Sequence, residues 1–554
     1  VLFTAIFSVS SPVQAGQATY YLSPIGNDSN NGSLASPWLS PNHALNCGDV
    51  IVAKSGNYNA GNFGSGKWGA VNCPGNNNVA WVKCEAFDTC KIVTAGNDGM
   101  RISSSYWGVQ GWEITNTAGS CFAATPPTFA SSIHHIIFAN NIANGCKSNG
   151  FSAYPYYSGK NQSSVDYIEI IGNLAYNAAG GNNLCFSGVS VYEPKNVDTN
   201  AGTHIYIAQN IAWGNVDGPT CPGNSDGNGI ILDDFNGDQS GMLVPYSGQT
   251  VVENNITVGN GSAGIAPFHN TNSPAFVLNN TSYGNYTDPY HQGSYKGEIL
   301  YNWSSNVVSK YNITHSTVSS GGVSNYSVYS FYVGRSNSTD VVDYNWIYSP
   351  FGKNTGINSS TGFVYGTHNI VGVNPAFANP TIPGAPVCSG KANTLDCMSG
   401  VIAGYVPSAA IGYGYKPVDN NYIQNDYYPL WLCNVSLPDG IMSNYCSGVP
   451  VPTNTPTVLP VNTPTLIPTV TNTPVPTNTP MPTLMPTLMP TNTVAPTSTN
   501  TSTSTPIPTN TATEIPTLMP TETSTSTLIP VSTRTPECIA VTFSDGVKIS
   551  VCEE

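Results

Sequence analysis

The chain is 554 residues long, and charged residues make up 8% of it against the roughly 25% typical of soluble domains. Its 16 Lys and Arg, only 3 of them Arg, face 30 acidic residues for a net charge of −14, which leaves no basic surface to displace counterions from a phosphate backbone and argues against nucleic-acid binding. Residues that build long surface helices are scarce while Asn, Ser, Thr, Gly and Tyr abound, so an all-β body with a neutral polar surface is expected.

The opening VLFTAIFSVSS is apolar but too short to span a bilayer, and Val13-Gln14-Ala15 before Gly16 is a small-x-small pattern, so residues 1–15 read as the end of a secretory signal peptide. No later stretch has eighteen uninterrupted apolar residues, so no transmembrane segment is expected, and the body is read as secreted and monomeric. Export accounts for the 14 Cys as disulfides, since they fit no zinc spacing. Cys388/Cys397, Cys433/Cys446 and Cys538/Cys552 are the expected local pairs, and the remaining partners stay open.

The body, residues 16–449, repeats a short β-rich run, one or two Asn, and a small or β-branched pair, as in IIFANNIANG, IEIIGNLAYN, IYIAQNIAWGN and TVVENNITVGN. With Asn116, Asn141, Asn173, Asn210, Asn255, Asn280, Asn312 and Asn345 as marks, the shortest gap is 25 residues and the others read as that period with loops inserted. Such a period predicts a solenoid, in which each coil buries its apolar side only by stacking on its neighbours. The Asn are structural, because they tolerate left-handed turns and can hydrogen-bond their equivalents one coil away. Ten to twelve coils about 4.8 Å apart predict a rod of roughly 50 Å, with insertions collected on one face and a long outer groove suited to a polymer.

The segment YYLSPIGNDSNNGSLASPWLSPNHALNCGDVIVAKSGNY resembles the opening of secreted right-handed parallel β-helix proteins of the pectin-lyase-like superfamily. The resemblance runs through the Asn repeats to about residue 380, and its closest look is family 9 of the polysaccharide lyases. It implies a right-handed, single-stranded parallel β-helix with a short capping helix in the opening, and a site for a polysaccharide.

The strongest local anomaly is GNSDGNGIILDDFNGDQ, with Asp226, Asp233, Asp234 and Asp238 inside 13 residues. Aligning successive coils on Gly150, Gly188, Gly229 and Gly264 points Phe151, Val189, Ile230 and Ile265 inward under period-two alternation. The outward rows are Ser152, Ser190, Ile231 and Ala266, then Tyr154, Tyr192, Asp233 and Phe268. One step further lie Pro155, Glu193, Asp234 and His269. Tyr154, Tyr192 and Phe268 offer flat faces to sugar rings, and Glu193, Asp233, Asp234 and Asp226 are hard oxygen ligands for Ca2+. An ion there would neutralise a uronate carboxylate and acidify the neighbouring proton for a base.

The same acids also read as a solvated turn or a structural Ca2+ clip. His134, His135 and His204 read as structural, and His291 with Lys296 as a loop overhanging the groove. Family-9 lyases place a Lys base one coil beyond their Ca2+-binding Asp group, where this chain has Ala266, so the base is left among His269, Lys195 and Arg101, with Arg101 also a substrate-binding candidate. The G-H-G and R-I-K motifs of pectin-type hydrolases are missing, and the Y-G-F-D-P-H pattern of alginate epimerases is echoed only in Tyr286 to His291.

Residues 450–536 form a Pro/Thr tract of low charge that reads as a disordered, semi-rigid stalk. In residues 537–554, two alternating runs flank Asp545-Gly546 between Cys538 and Cys552, which predicts a short disulfide-closed hairpin or a truncated module. The leading functional reading is a Ca2+-assisted lyase acting on an extracellular acidic polysaccharide. A stalked glycan-binding adhesin and an inverting glycoside hydrolase are the alternatives.

Overall fold

The computed structural model describes residues 18–416 except the short segments 75–78, 159–160, 182–184, 222–225, 292–296, 324, 335–338 and 358–363, together with the strands Cys538–Thr542 and Lys548–Cys552. The expected leader, the whole of the stalk and the Cys433/Cys446 pair lie outside these residues.

Each coil consists of a strand, an Asn corner, a second short strand and a third strand that opens on a small residue. Like strands of successive coils pair in parallel and build sheets of twelve, eleven and nine strands. The chain is a parallel β-helix. Inward positions stack by type, because the register brings Phe138, Ile170, Ile207, Val252 and Val277 onto one another, and all five are buried in one core running along the stack. Each such side chain contributes roughly 1.5–3 kcal/mol by leaving water, which no single coil could secure alone.

The first corner carries an amide ladder. From Asn141 through Asn173, Asn210, Asn255, Asn280, Asn312 and Asn345 to Asn369, each residue's backbone N–H and Nδ2 donate to the Oδ1 of the next. Two details differ from the sequence reading. Asn116 is not a member, since Trp112 N–H starts the ladder on Asn141, and the ladder continues to Asn369. From Asn141 to Asn345 the left-handed residue is the one before each rung, as at Asn140, Gln209, Asn254 and Asn279 with φ of 51–58°, so the rung Asn is free to face its equivalents. A second ladder, Asn215–Asn260–Asn285, ends on the buried carboxyl of Glu298.

The segment between the strands Thr19–Leu22 and Val50–Ala53 contains no helix, in contrast to the capping helix implied by the resemblance. Trp38, stacked between Tyr20 and His43, covers the end of the coil instead. At the far side, residues 374–416 fold back. The helices Thr394–Cys397 and Ser399–Gly404 lay Leu395, Met398 and Ile402 on Ile142, Leu174, Ile211 and Ile256, the outer face of the eleven-stranded sheet. Asn393 caps the first of these helices by accepting from Asp396 N–H.

Five disulfides are present among the described residues: the expected Cys388–Cys397, and Cys47–Cys73, Cys84–Cys90, Cys121–Cys146 and Cys185–Cys221. Cys538 and Cys552 are cross-strand partners of an antiparallel hairpin in a separate unit. No helix among the described residues is long and apolar enough to cross a membrane.

Candidate active site

The nine-stranded sheet carries the acids. Val189, Ile230 and Ile265 are in register and buried, and Tyr192 pairs with Asp233, so the aligned rows are as the alternation requires. At the corner where the chain leaves this sheet, Glu193, Asp234, His269 and Trp303 occupy the equivalent place in four successive coils, all left-handed with φ of 43–50°. Residues 41, 35 and 34 positions apart are thereby stacked in one column.

The outer face is less open than the alternation implies. Insertions border the sheet on both sides rather than collecting on one. Segments 286–291, 318–323 and 325–328, which precede its strands, lie across the C-terminal coils, where Ile231, Ala266, Phe268 and Leu300 pack with Tyr286, Tyr326 and Val328 in a second apolar cluster. Phe268 is therefore part of a packed layer, not an open sugar platform. The exposed aromatic of the column is Trp303, whose ring lies tilted beside that of His269 with centroids 4.8 Å apart.

Glu193 and Asp234 are buried, while Asp233 and His269 are half-exposed and Asp238 is exposed. Glu193 accepts a short hydrogen bond from the Tyr157 hydroxyl, and its other oxygen, Oε1, is buried with no hydrogen-bond partner. Asp234 accepts from the backbone N–H of Asp238 at 3.1 Å and of Gln239 at 2.8 Å. Burial, then the adjoining Glu193 and Asp238, push its carboxyl up to about 9. Asp238 lies 2.5 Å from His269 Nδ1. Burial raises the Asp238 carboxyl, but hydrogen bonding to Asp234 and the His269 charge outweigh that and hold it low. Burial, then Asp226, push Asp233 up, and burial, then Asp217, do the same to Asp226. Asp234, Asp238 and His269 each offer an atom within 4.8 Å of the others.

Of the residues singled out in the sequence, the structure brings Glu193, Asp233, Asp234 and His269 together, with Tyr192 against the acids and Asp226 influencing Asp233 from the preceding insertion. Lys195 is turned aside: its Nζ donates to the Gln162 carbonyl at 3.1 Å and its backbone pairs with Val165. Arg101 and Tyr154 lie further along the sheet toward the N-terminus, so Arg101 is not placed to act as the base. His204 is structural as read, held between Asp166 and the Asn200 carbonyl. His291 is buried against Ser262, and Lys296 lies outside the described residues.

Tyr157, Trp303 and the buried Asp217 were missed. Tyr157 sits in a hairpin insertion, which no period reveals. Trp303 falls in the column only once Glu298, replacing the Gly of earlier coils, is taken as the start of its strand. Asp217 stands outside the acidic run, although its carboxylate accepts the Asp226 N–H at 2.7 Å.

The donor set suits a hard cation. Three carboxylates crowd a corner where one buried oxygen lacks any donor and burial, then the neighbouring acids, push one carboxyl up, so a divalent ion could relieve both conditions. A separate cleft of about 290 Å3, lined by Asn196, Asn200, His204 and Gln249, lies away from these acids.

Comparison with family models and with curated protein sequences gives no match. Among solved structures the chain is similar to pectate lyase Pel9A, at 14% identity and a TM-score of 0.34, covering 73% of this chain and 90% of that one. It is also similar to the A-module of the Azotobacter vinelandii mannuronan C-5 epimerase AlgE4, at 12% identity and a TM-score of 0.27, covering 58% and 91%. XylC in complex with xylose matches at 11% identity and a TM-score of 0.37, covering 66% and 88%. Likenesses this distant carry no chemistry, and the fold rests on the three stacked sheets themselves.

Proposed function

We propose that the protein cleaves an acidic polysaccharide by β-elimination at the Glu193–Asp234–His269 corner. The observation that carries this reading is the column itself: two buried acids and an imidazole, each from a different coil, meet beside the half-exposed Asp233 and the exposed Trp303. Glu193, Asp233 and Asp234, with Asp226 beside them, are the residues that would hold Ca2+. When bound, the ion would supply charge neutralisation at a uronate carboxylate and a more acidic C5 proton.

His269 is the base. Its contact with Asp238 requires a proton on Nδ1, which leaves Nε2 of the neutral ring with the lone pair. Nε2 takes the C5 proton, the C–H electrons form the C4=C5 double bond, and the C4–O bond breaks to release the preceding sugar, whose oxygen is then protonated. Lys195 is the weaker candidate because its ammonium is already engaged. An inverting hydrolase is the second reading, favoured by Asp234, whose carboxyl burial and its acidic neighbours push up, the direction a general acid needs.

The test is incubation with polygalacturonate, alginate and neutral xylan, with Ca2+ or chelator. Ultraviolet absorbance from unsaturated ends, lost with chelator, is expected. New reducing ends without that absorbance would replace the lyase reading with the hydrolase, and retention of polymer without products would leave a binding protein.

A further inference from the structure

The chain has 3 Arg, and Arg101 is the one among the described residues. It lies on the strand Met100–Ile102 between two buried inward residues, so it projects from the outer face of the nine-stranded sheet. Its neighbours along that row are Ala123, Ser152 and Ser190, all small, which leaves a floor over which a long side chain can lie. Its Nε is buried without a hydrogen-bond partner, and so is the Oγ1 of the fully buried Thr125, two residues beyond Ala123 on the same side. A buried donor left unmade is costly, so the pair is short of an acceptor. Tyr154, one rung on, completes the group. Burial and Asp98 push its phenol up to about 12, and the Arg101 charge opposes them. Asp98 accepts the Ser120 N–H at 2.8 Å; burial raises its carboxyl, and the Ser120 hydrogen bond and the Arg101 charge act against that.

We propose that Arg101, with Thr125 and Tyr154, is a carboxylate clamp at a distal subsite, so that the glycan laid along this sheet is a polyuronate. A planar guanidinium whose Nε lacks an acceptor, flanked by hydroxyls, matches a carboxylate. The proposal rests on the acidic-polysaccharide reading above and adds to it a second point at which a carboxylate is recognised. Four strand steps separate the Arg101 strand from that of Asp233, about 19 Å at the usual spacing of strands, so clamp and acid corner read different sugars of one chain.

The test uses the full chain and measures affinity for polygalacturonate and for neutral xylan. Arg101→Gln is expected to lose about tenfold or more in affinity for polygalacturonate and nothing for xylan. Arg101→Lys, which keeps the charge but not the fork, loses less. Thr125→Val weakens polygalacturonate binding with Arg101 intact, which keeps the proposal testable if the Gln variant does not fold. Unchanged polygalacturonate affinity in a folded Arg101→Gln, an equal loss on xylan, or a wild-type preference for xylan would overturn the clamp. Failure of the wild type to bind either polymer would instead remove the polysaccharide reading on which it rests.

Discussion

At the residue scale the decisive contacts are those of His269. Asp238 fixes its tautomer, so Asp238→Asn and His269→Ala should both lower turnover. A roughly 10²–10⁴-fold loss is expected for His269→Ala, with substrate affinity nearly kept. Single-turnover kinetics on polygalacturonate would show this, and equal activity in His269→Ala would return the role of base to Lys195. Glu193 makes a second prediction. Its orphaned Oε1 beside Asp234 should gain a partner when Ca2+ is added. Thermal unfolding of the wild type is therefore expected to shift upward with CaCl2, by RT ln(1 + [L]/Kd), and Glu193→Gln should abolish most of that shift while sodium leaves both proteins unmoved. A wild type indifferent to CaCl2 would remove the ion from this corner.

At the scale of elements, the amide ladder and its companion carry the argument. Asn210 Oδ1 accepts from both N–H and Nδ2 of Asn173, and its own Nδ2 donates to the Ile170 carbonyl and to Asn255. Asn210→Ala strands several buried polar groups and should cost about 2–4 kcal/mol in urea unfolding, against little for Asn116→Ala, which lies outside the ladder.

Glu298 ends the second ladder by accepting from Asn285 and Ser282, and burial pushes its carboxyl up to about 8. Above the unfolded value of about 4.5 the folded state holds a proton that the unfolded state has lost, so this group's contribution to stability declines as pH rises from about 4.5 through about 8. Glu298→Gln removes that dependence. Relative to wild type, the variant should melt progressively higher as pH is raised from 5 to 8, and parallel curves would refute the assignment.

At the scale of the whole molecule, stacking is what makes the site. Glu193, Asp234 and His269 are brought within a few rungs only because the coils between them have different lengths yet return to one register. The same closure explains why insertions are tolerated: loops such as 234–248 add residues outside the ladder corners, where no rung depends on them.

The coil repeat was legible because its causes are local: alternation sets which side chains face in, and a left-handed residue followed by Asn marks each corner. The row containing Glu193, Asp234 and His269 followed from counting along three strands. What counting could not supply was anything carried by a loop. Phe268 alternates outward, yet Tyr286 and Tyr326 arrive from other coils to cover it, and Tyr157 reaches Glu193 from a hairpin that obeys no period. Lys195 is two residues from Glu193 in sequence, but a hydrogen bond to Gln162 turns its amine away. By itself, then, the sequence determined the β-helical stack and the column of acids, since both follow from periodic side-chain direction. Only the tertiary structure decided which acids are buried, which imidazole is oriented and which side of the sheet stays open, because burial and orientation depend on segments folded over the stack from elsewhere in the chain.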